Sequence, residues 1–351
     1  MGLVGSVALH LPLVLGWTLL TSPFHPNNQH KTWNRVLGDK VFYHLTGQLS
    51  VKQLQWALGD TMDVYRDWMN TQKLPLVIDE LGEKARLLWI GQRRTDRVIL
   101  YFHGGGYLLP MPFFVPDFWS YVLKELKVKD KEAGFAILQY SLVPTADFPT
   151  LLRQAVLAAQ HLISTGVQPQ NIQVVGDSAG ANLIVALLSH LLHPVPELPR
   201  LTLSAPLRGA YIMSPWVALT GPHTGSVIAN GTNDIIGPGC IETWGSLVLA
   251  GIRDHPHLEP YLEAARAPEG WFAGLDTVVQ RVLISGGDAE RLRDSIAGFA
   301  DLIATHHQKM SYVPQKHGVH NDPYFDFMLK GRPGKGELTP IIVAWFSEGF
   351  E

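Results

Sequence analysis

The chain has 351 residues, of which 46% are apolar and 17% are charged, a composition typical of a globular protein with a large core. A formal net charge of −3 provides no electrostatic basis for binding nucleic acid. The single cysteine, Cys240, excludes an internal disulfide and a cysteine-rich metal site, and the fifteen histidines occur without an HExxH or CxxC pattern. We therefore expect no metal ion, and the composition implies no other cofactor.

Residues 1–24 form an unusually apolar segment. No formal charge occurs between residues 2 and 20, and this stretch has about the length that a membrane-spanning helix needs. It lacks the basic start and the small-residue cleavage site of a secretory signal, although residues 2–6 fit the loose pattern for N-myristoylation. Two interpretations remain open: a membrane anchor, or an apolar helix that packs on a lid over the functional site.

Basic residues follow this segment, namely Lys31, Arg35 and Lys40, and none precedes it. If the segment spans a membrane, this asymmetry favours a cytoplasmic location for the rest of the chain. We therefore expect a membrane-associated or cytoplasmic protein, with the endoplasmic reticulum as a candidate location.

After the apolar segment, helical and strand patterns alternate along the chain. Residues 50–72 have the apolar spacing of one amphipathic helix, with Ser50 as its N-cap. The predicted strands are 86–89, 97–102, 135–140, the run that ends at Val175, 208–216, 279–285 and 310–313. The predicted helices between and after them are 151–163, 181–192, 291–305 and 338–350. This alternation predicts an α/β fold with right-handed crossovers and a mostly parallel central sheet flanked by helices.

Residues 217–277 interrupt this alternation. They are rich in Gly, Pro, His and Trp, and we interpret them as an insertion that forms part of a lid. Asn230 begins an N-glycosylation sequon, which matters only if this face of the protein enters the secretory lumen. The core of the fold is then expected at residues 81–216 and 278–351.

The stretch around Ser178 has the form of a nucleophile elbow. Two β-branched residues end an apolar run, a Gly-Asp-Ser-Ala-Gly turn follows, and a helical pattern begins at Ala181. Gly176 and Gly180 remove the Cβ atoms that would crowd an exposed serine hydroxyl on so tight a turn. The helix that follows directs its positive end toward the site and so favours developing negative charge.

A second glycine-rich loop precedes the elbow. It reads His103-Gly-Gly-Gly-Tyr107 and follows the strand predicted at 97–102. Three successive glycines leave backbone N–H groups free to approach a ligand closely, which is typical of an oxyanion-hole loop. Each such donor is worth roughly 3–4 kcal/mol to the transition state. His103 precedes this loop and Asp177 precedes Ser178, and we expect structural roles for both.

A serine hydroxyl becomes a strong nucleophile only when an imidazole takes its proton, and the imidazole needs a carboxylate partner. On an α/β sheet these groups lie at the carboxyl ends of strands, in the chain order Ser, acid, His. Asp288 and Glu290 both follow the strand predicted at 279–285. His317 and His320 follow the last predicted strand. The order of the residues along the chain does not decide between Asp288 and Glu290 as the acid, or between His317 and His320 as the base.

Taken together, these motifs resemble the hormone-sensitive lipase family of α/β-hydrolases, which includes arylacetamide deacetylase-like and fungal esterases. The resemblance covers residues 97–325 and rests on HGGGY, YSLVP with a later FP, GDSAGANL, the acid after the strand and the late GVH. Two departures lie away from the chemistry: Ala181 stands where many members have Gly, and Thr145 where many have an acid.

The resemblance also implies roles for individual residues. Glu290 is favoured over Asp288 because it begins an acid-x-Leu-x-Asp segment, and His320 is favoured over His317 because it follows Gly-Val. Asp288 then becomes a loop residue and Asp294 a helix cap. The implied oxyanion-hole donors are the amides of Gly104, Gly105 and Ala179. The N-terminal helices, within residues 25–80, and the 217–277 insertion are assigned to a lid.

These observations predict a serine hydrolase with an α/β-hydrolase fold that cleaves carboxylic esters of small to medium apolar acyl or aryl groups. The substrate could carry an acetyl group on a natural product. Three alternatives remain: a lyase or cyclisation enzyme of a biosynthetic pathway on the same fold, a receptor that binds a ligand without reaction, and an amidase or deacetylase. The expected partner is a small-molecule ester, with no nucleic acid, and the pattern predicts no oligomeric state.

Overall fold

A computed structural model describes residue 2 and residues 5–221, 224–328 and 336–351. Its centre is a sheet of eight strands in the order β1-β2-β4-β3-β5-β6-β7-β8. The strands are β1 (Ile78–Gly82), β2 (Ala85–Ile90), β3 (Val98–Phe102), β4 (Gly134–Gln139), β5 (Ile172–Asp177), β6 (Gly209–Met213), β7 (Val282–Gly287) and β8 (Met310–Gln315). Strand β2 pairs antiparallel with β1 and β4, and every other pairing is parallel. The predicted α/β fold with a mostly parallel sheet is confirmed.

Helices cover both faces of this sheet. They are α1 (Leu11–Thr21), α2 (Trp33–Gln48), α3 (Val51–Leu58), α4 (Thr61–Gln72), α5 (Val115–Val128), α6 (Thr150–Ser164), α7 (Ala179–Leu192), α8 (Ser226–Ala229), α9 (Cys240–Leu249), α10 (Glu259–Leu262), α11 (Arg293–Ala304), α12 (Asp322–Met328) and α13 (Leu338–Gly349). Because side chains alternate along a strand, Leu100 packs with α6 and α7 on one face, while Tyr101 packs with α5 and α13 on the other. Central strands buried on both faces explain the nearly continuous apolar runs in the sequence.

The prediction of one helix over residues 50–72 was wrong, because two helices, α3 and α4, occupy this stretch. Gly59 ends α3 with a φ of 69°, a left-handed conformation that glycine adopts without strain. Asp60 then caps α4, and its side chain accepts the N–H of Asp63 in a reciprocal capping box. Ser50 caps α3 in the same way, as the sequence predicted. The edge strand β1 was not predicted, because its sequence IDELG carries little apolar signal.

The N-terminal segment is helical from Gly5 to Phe24, and α1 forms its centre. This helix is long and apolar enough to cross a membrane, with a mean hydropathy of 1.4, and no other helix in the described ranges meets both conditions. One side of α1 contacts α2. The apolar side chains of Leu9, Leu13 and Leu20 are each more than 70% exposed, so it is not a core helix of the fold.

Two parts of the 217–277 stretch lie in different environments. Its last part, which includes α10, packs against the core helix α7, where the side chain of Asn182 donates to the carbonyl oxygen of Leu262 at 2.7 Å. Its earlier part contains α8 and α9, and residues such as Ile241 and Trp244 line the large cavity described below. The assignment of residues 25–80 and 217–277 to a lid, and the domain boundaries drawn from it, remain predictions.

Candidate active site

Ser178 lies at the tight turn between β5 and α7. Its φ of 54° is left-handed, a strained conformation for a residue with a Cβ atom. The flanking glycines make the turn possible: a Cβ at Gly176 would lie 2.5 Å from the carbonyl oxygen of Gly180, and a Cβ at Gly180 would overlap the carbonyl oxygen of Phe102. The structure therefore contains the strand-turn-helix geometry that the sequence predicted for this serine, with α7 beginning at Ala179.

His320 and Glu290 form a buried pair beside this turn. His320 Nδ1 donates to Glu290 Oε2 at 3.0 Å. The other carboxylate oxygen, Oε1, accepts the Ser214 hydroxyl at 2.6 Å and the Gly287 N–H at 2.5 Å. These bonds fix the carboxylate and require His320 to carry its proton on Nδ1, which leaves Nε2 free to accept a proton. This is the tautomer that a general base beside a serine needs.

The surroundings of the pair also change its acidity. Burial raises the pKa of Glu290, because a carboxylate loses hydration inside the protein. For His320, burial opposes the protonated form, but the hydrogen bond and charge of Glu290 outweigh burial, and the pKa of His320 is raised above its ordinary 6.5. The negative charges of Asp234 and Asp177 act in the same direction. The site is thus suited to hold an imidazolium once a proton has been taken up.

Asp234 is a site residue that the sequence did not reveal. Its Oδ1 accepts the backbone N–H of His320 at 2.9 Å, and its Oδ2 accepts the backbone N–H of Arg291 at 2.8 Å. One buried carboxylate therefore holds the segments that carry both His320 and Glu290. Asp234 lies in the irregular 217–277 stretch and belongs to no motif, so no local pattern could have identified it.

The alternatives Asp288 and His317 are not part of this arrangement. His317 is exposed and stacks on His30, with ring centroids 4.3 Å apart. Asp288 contributes its backbone, whose N–H donates to Gln315 and whose carbonyl oxygen accepts the side-chain amide of Asn230. The structure brings Glu290 and His320 together, as the resemblance implied.

The glycine loop requires a correction. The Gly104 N–H donates to Asp177 Oδ1 at 3.1 Å, so it is not free to bind an oxyanion. Gly105 and Gly106 have left-handed φ values of 108° and 65° and line the cavity beside Ser178. Within the described ranges, the amides of Gly105, Gly106 and Ala179 donate to no protein acceptor. The sequence did not single out Gly106, because three equivalent glycines carry no signal about which amide is already bonded.

His103 has the structural role predicted for it. Its Nδ1 donates to the carbonyl oxygen of Gly104 at 2.7 Å, and its Nε2 accepts the Thr61 hydroxyl at 3.1 Å. The ring stacks on Tyr140 with centroids 4.4 Å apart and is fully buried. Burial lowers the pKa of His103 to about 4, so the ring is neutral at physiological pH.

A cavity of about 1360 Å³ opens on these groups, and it exceeds the 300–1,000 Å³ or so usual for ligand pockets. Both Ser178 and His320 line it. No direct hydrogen bond joins the two side chains among the described residues, and in unliganded enzymes this contact often tightens only when substrate binds. The cavity extends between α2 and α4 to α5, and its walls are mainly apolar: Leu37, Val41, Phe42, Trp68, Phe114, Trp216, Trp244 and Phe325.

Other candidate features of the sequence lie away from this chemistry. The side-chain nitrogen of Asn230 is buried and donates to the carbonyl oxygens of Asp288 and Glu290 at 3.0 and 2.8 Å, so the folded protein does not present it for glycosylation. Cys240 is buried, and burial raises the pKa of its thiol. Within the part of the chain that the structure describes, no group of three or more His, Cys, Asp or Glu side chains could hold a metal ion.

Comparison with known proteins agrees with this geometry. A profile of the α/β-hydrolase fold matches residues 99–322. The chain belongs to the α/β-hydrolase family. A Schizosaccharomyces pombe protein provisionally named a steryl acetyl hydrolase is 29% identical over 67% of this chain and 65% of its own length. An acetyl-hydrolase of Streptomyces hygroscopicus is 34% identical over 37% of this chain and 40% of its own.

Solved structures show the same fold. An esterase from the bacterial hormone-sensitive lipase family superposes with a TM-score of 0.61, at 21% identity, over 97% of this α/β-hydrolase and 98% of that chain. The resemblance to the hormone-sensitive lipase family, predicted from the motifs, is confirmed. The chain spans less than two thirds of the length of the two curated relatives described above.

Proposed function

We propose that this α/β-hydrolase is a serine hydrolase that cleaves carboxylic esters through an acyl-enzyme. The observation that carries the proposal is that Ser178, on its strained turn, and His320, which is bound to the buried Glu290, line one apolar cavity. In this mechanism Ser178 Oγ attacks the ester carbonyl carbon while His320 Nε2 takes the hydroxyl proton. The amides of Gly105, Gly106 and Ala179 hold the oxyanion that forms.

The remaining steps return the site to its starting state. The imidazolium of His320 gives its proton to the alkoxide as the ester C–O bond breaks, and the alcohol leaves. A water molecule then attacks the acyl-enzyme while His320 takes its proton, and the proton returns to Ser178 Oγ as the acid is released. Glu290 keeps the ring oriented and stabilises its positive charge throughout, and no step requires a cofactor.

The test uses a series of 4-nitrophenyl esters from acetate to octanoate. We expect hydrolysis by the wild-type protein, a loss of about 10⁴-fold or more in kcat for Ser178→Ala, and loss of fluorophosphonate labelling in the same variant. Absence of activity across the whole series would favour a receptor. Fluorophosphonate labelling of Ser178 that left turnover of the natural substrate intact would favour a lyase or cyclisation enzyme, since those reactions need no acyl-enzyme.

We further propose that the substrate joins a small acyl group, such as acetyl, to a bulky apolar alcohol. The names of the two relatives, an acetyl-hydrolase and a steryl acetyl hydrolase, support the acetyl group. The large apolar cavity supports the bulky partner, because burying apolar surface contributes about 25 cal/mol per Å². Activity is expected to rise with the apolar size of the alcohol in an acetate series and to fall with the length of the acyl chain.

We propose that the Gly5–Phe24 helix associates with a lipid bilayer. Several of its large side chains point away from the protein: Leu13 is 73% exposed and Trp17 is 69% exposed. The polar residues Ser6, Thr18 and Ser22 are instead buried, the reverse of the pattern on a water-facing helix. Flotation of the full chain with phosphatidylcholine vesicles tests this. Leu13→Lys with Trp17→Lys is expected to abolish flotation, whereas Trp56→Lys, at an equally exposed residue of α3, is expected to leave it intact.

A further inference from the structure

We propose that helix α2 is a positioning element for His320 and that Arg35 and Thr46 are its positioning residues. The proposal rests on the proposed function, because it concerns the same histidine. Helix α2 contributes no residue to the serine, histidine and acid group, and its sequence shows no motif. It nevertheless contacts both segments that support the backbone around His320.

The first contact is a buried charge cluster near the start of α2. The Arg35 guanidinium binds Asp39 at 2.7 Å, Asp326 at 3.2 Å and, most closely, Asp322. The Arg35 and Asp322 side chains are each 10% exposed, so solvent screens this pair only weakly. Arg35 also lies 5.3 Å from the centre of the Phe325 ring. These contacts fix the start of α2 to helix α12, which begins at Asp322.

Asp322 in turn holds the loop that carries His320. Its Oδ1 accepts the backbone N–H of Val319 at 3.1 Å, and its Oδ2 accepts the side-chain amide of Gln315 at 2.6 Å. Gln315 ends β8 and Val319 precedes His320, so one carboxylate spans the loop from the strand to the histidine. Arg35 is the cation that balances the charge of this carboxylate. Without Arg35, the carboxylates of Asp322 and Asp326 would lie close together in a buried cluster with no guanidinium to balance their charge. Burying uncompensated charge in this way destabilises the folded protein.

The second contact lies near the other end of α2. Thr46 Oγ1 accepts the backbone N–H of Gly237 at 2.8 Å and lies 3.2 Å from the carbonyl oxygen of Ile235. This short segment begins directly after Asp234, whose carboxylate accepts the backbone N–H of His320. A Cβ at Gly47 would lie 2.7 Å from the ring of Pro238, so the two segments are also in close steric contact. Helix α2 therefore supports His320 from both sides, through Asp322 and through Asp234.

Helix α2 also forms a wall of the cavity, where Val41 and Phe42 line it. The Phe42 ring packs on Phe325 with centroids 5.0 Å apart. A substrate that presses on α2 therefore acts on the same helix that holds the histidine loop. This arrangement makes the orientation of His320 depend on how α2 is seated against the core.

The test compares three variants on 4-nitrophenyl acetate, a substrate too small to fill the cavity. Thr46→Val keeps the side-chain shape and removes the acceptor for Gly237, and Arg35→Met removes the cation from Asp322. Both are expected to lower kcat per folded enzyme at least tenfold while KM stays within about twofold. The matched control is Lys31→Met, which removes another cation from Asp39 without touching the histidine loop. Its kcat is expected to stay within twofold of the wild-type value.

If Thr46 and Arg35 have a purely structural role, Thr46→Val and Arg35→Met should lower the melting temperature and leave kcat per folded enzyme unchanged. That result would overturn the proposal. If Arg35→Met does not fold, Thr46→Val alone decides. The Nδ1 proton resonance of His320, assigned by its loss in His320→Gln, provides a readout that does not need turnover. We expect it to broaden or shift in Thr46→Val and to persist in Lys31→Met. If the wild-type protein hydrolyses no ester, the proposed function fails, whereas an unaltered resonance in Thr46→Val contradicts the positioning role.

Discussion

The carboxylate of Asp177 accepts the backbone N–H of Gly104 at 3.1 Å, and this bond ties the glycine loop to the residue before Ser178. The same carboxylate accepts the Tyr101 hydroxyl at 2.6 Å and the side-chain amide of Asn321 at 2.8 Å. Asp177 thus connects the glycine loop, the serine turn and the residue after His320. Burial raises its pKa to about 6, because these donors only partly replace the water that the carboxylate loses.

Replacing Asp177 by Asn is expected to destabilise the protein by about 1–3 kcal/mol and to lower kcat. An amide turned with its NH₂ toward the Gly104 N–H would oppose a fixed donor, and an amide turned with its NH₂ toward Asn321 would require the Asn321 side chain to rotate. Urea unfolding and turnover of 4-nitrophenyl acetate measure the two effects. Asp301→Asn, at an exposed residue of α11, is the control and is expected to change neither. A stability equal to the wild-type value would show that these three donors do not depend on the carboxylate.

Glu290→Gln is expected to lower kcat by about 10⁴-fold, because the neutral amide neither stabilises the imidazolium nor selects its tautomer. The pH profile should change as well. Since the pKa of His320 is raised, the wild-type kcat/KM should fall as pH decreases through a midpoint above 6.5, where the base becomes protonated. In Glu290→Gln the midpoint should move to lower pH, although Asp234 and Asp177 still act on the ring. The nearby Asp288→Asn should keep the wild-type profile, and a large loss of activity in that variant would instead make Asp288 the acid.

Gly105→Ala is expected to reduce kcat by at least about 10²-fold, the usual effect of losing an oxyanion donor. The new Cβ would lie 2.5 Å from the carbonyl oxygen of Leu109, so the loop must move away from Ser178. Gly91→Ala is the matched control, because Gly91 also has a left-handed φ, 84°, but open space around it. Both variants bear the left-handed strain of about 1–2 kcal/mol, and only Gly105→Ala should lose activity. Equal kcat values for the two variants would exclude the loop from catalysis.

The buried ring of His103 is expected to make the free energy of unfolding depend on pH. Its pKa is lowered from 6.5 to about 4 in the folded protein, so the unfolded chain binds the proton more tightly. The contribution of His103 to stability is therefore complete above pH 6.5 and is lost as pH falls toward 4, by about 3 kcal/mol. Urea unfolding at pH 7 and pH 4 measures this loss. In His103→Asn, which does not titrate, the decrease should be about 3 kcal/mol smaller than in the wild type, and parallel decreases in the two proteins would contradict the buried neutral ring.

Several site features were predictable because they depend on neighbours in the chain. The turn at Ser178 needs Gly176 and Gly180 within a few residues, and this local requirement leaves a readable motif. The break between α3 and α4 was also encoded locally, in Gly59 and Asp60, but the apolar spacing on both sides masked it. Periodicity reports which face of a segment is buried, and two short helices in series can share the same spacing as one long helix.

By itself, the sequence determined the fold class and narrowed the site to one candidate serine and two candidates each for the acid and the histidine. Only the tertiary structure decided that Glu290 binds His320, that the Gly104 amide is already bonded to Asp177, and that Asp234 and Arg35 support the histidine loop. The physical reason is distance along the chain. A hydrogen bond between residues separated by dozens or hundreds of positions imposes no pattern on the residues beside either partner, so it becomes visible only when the fold brings its two ends together.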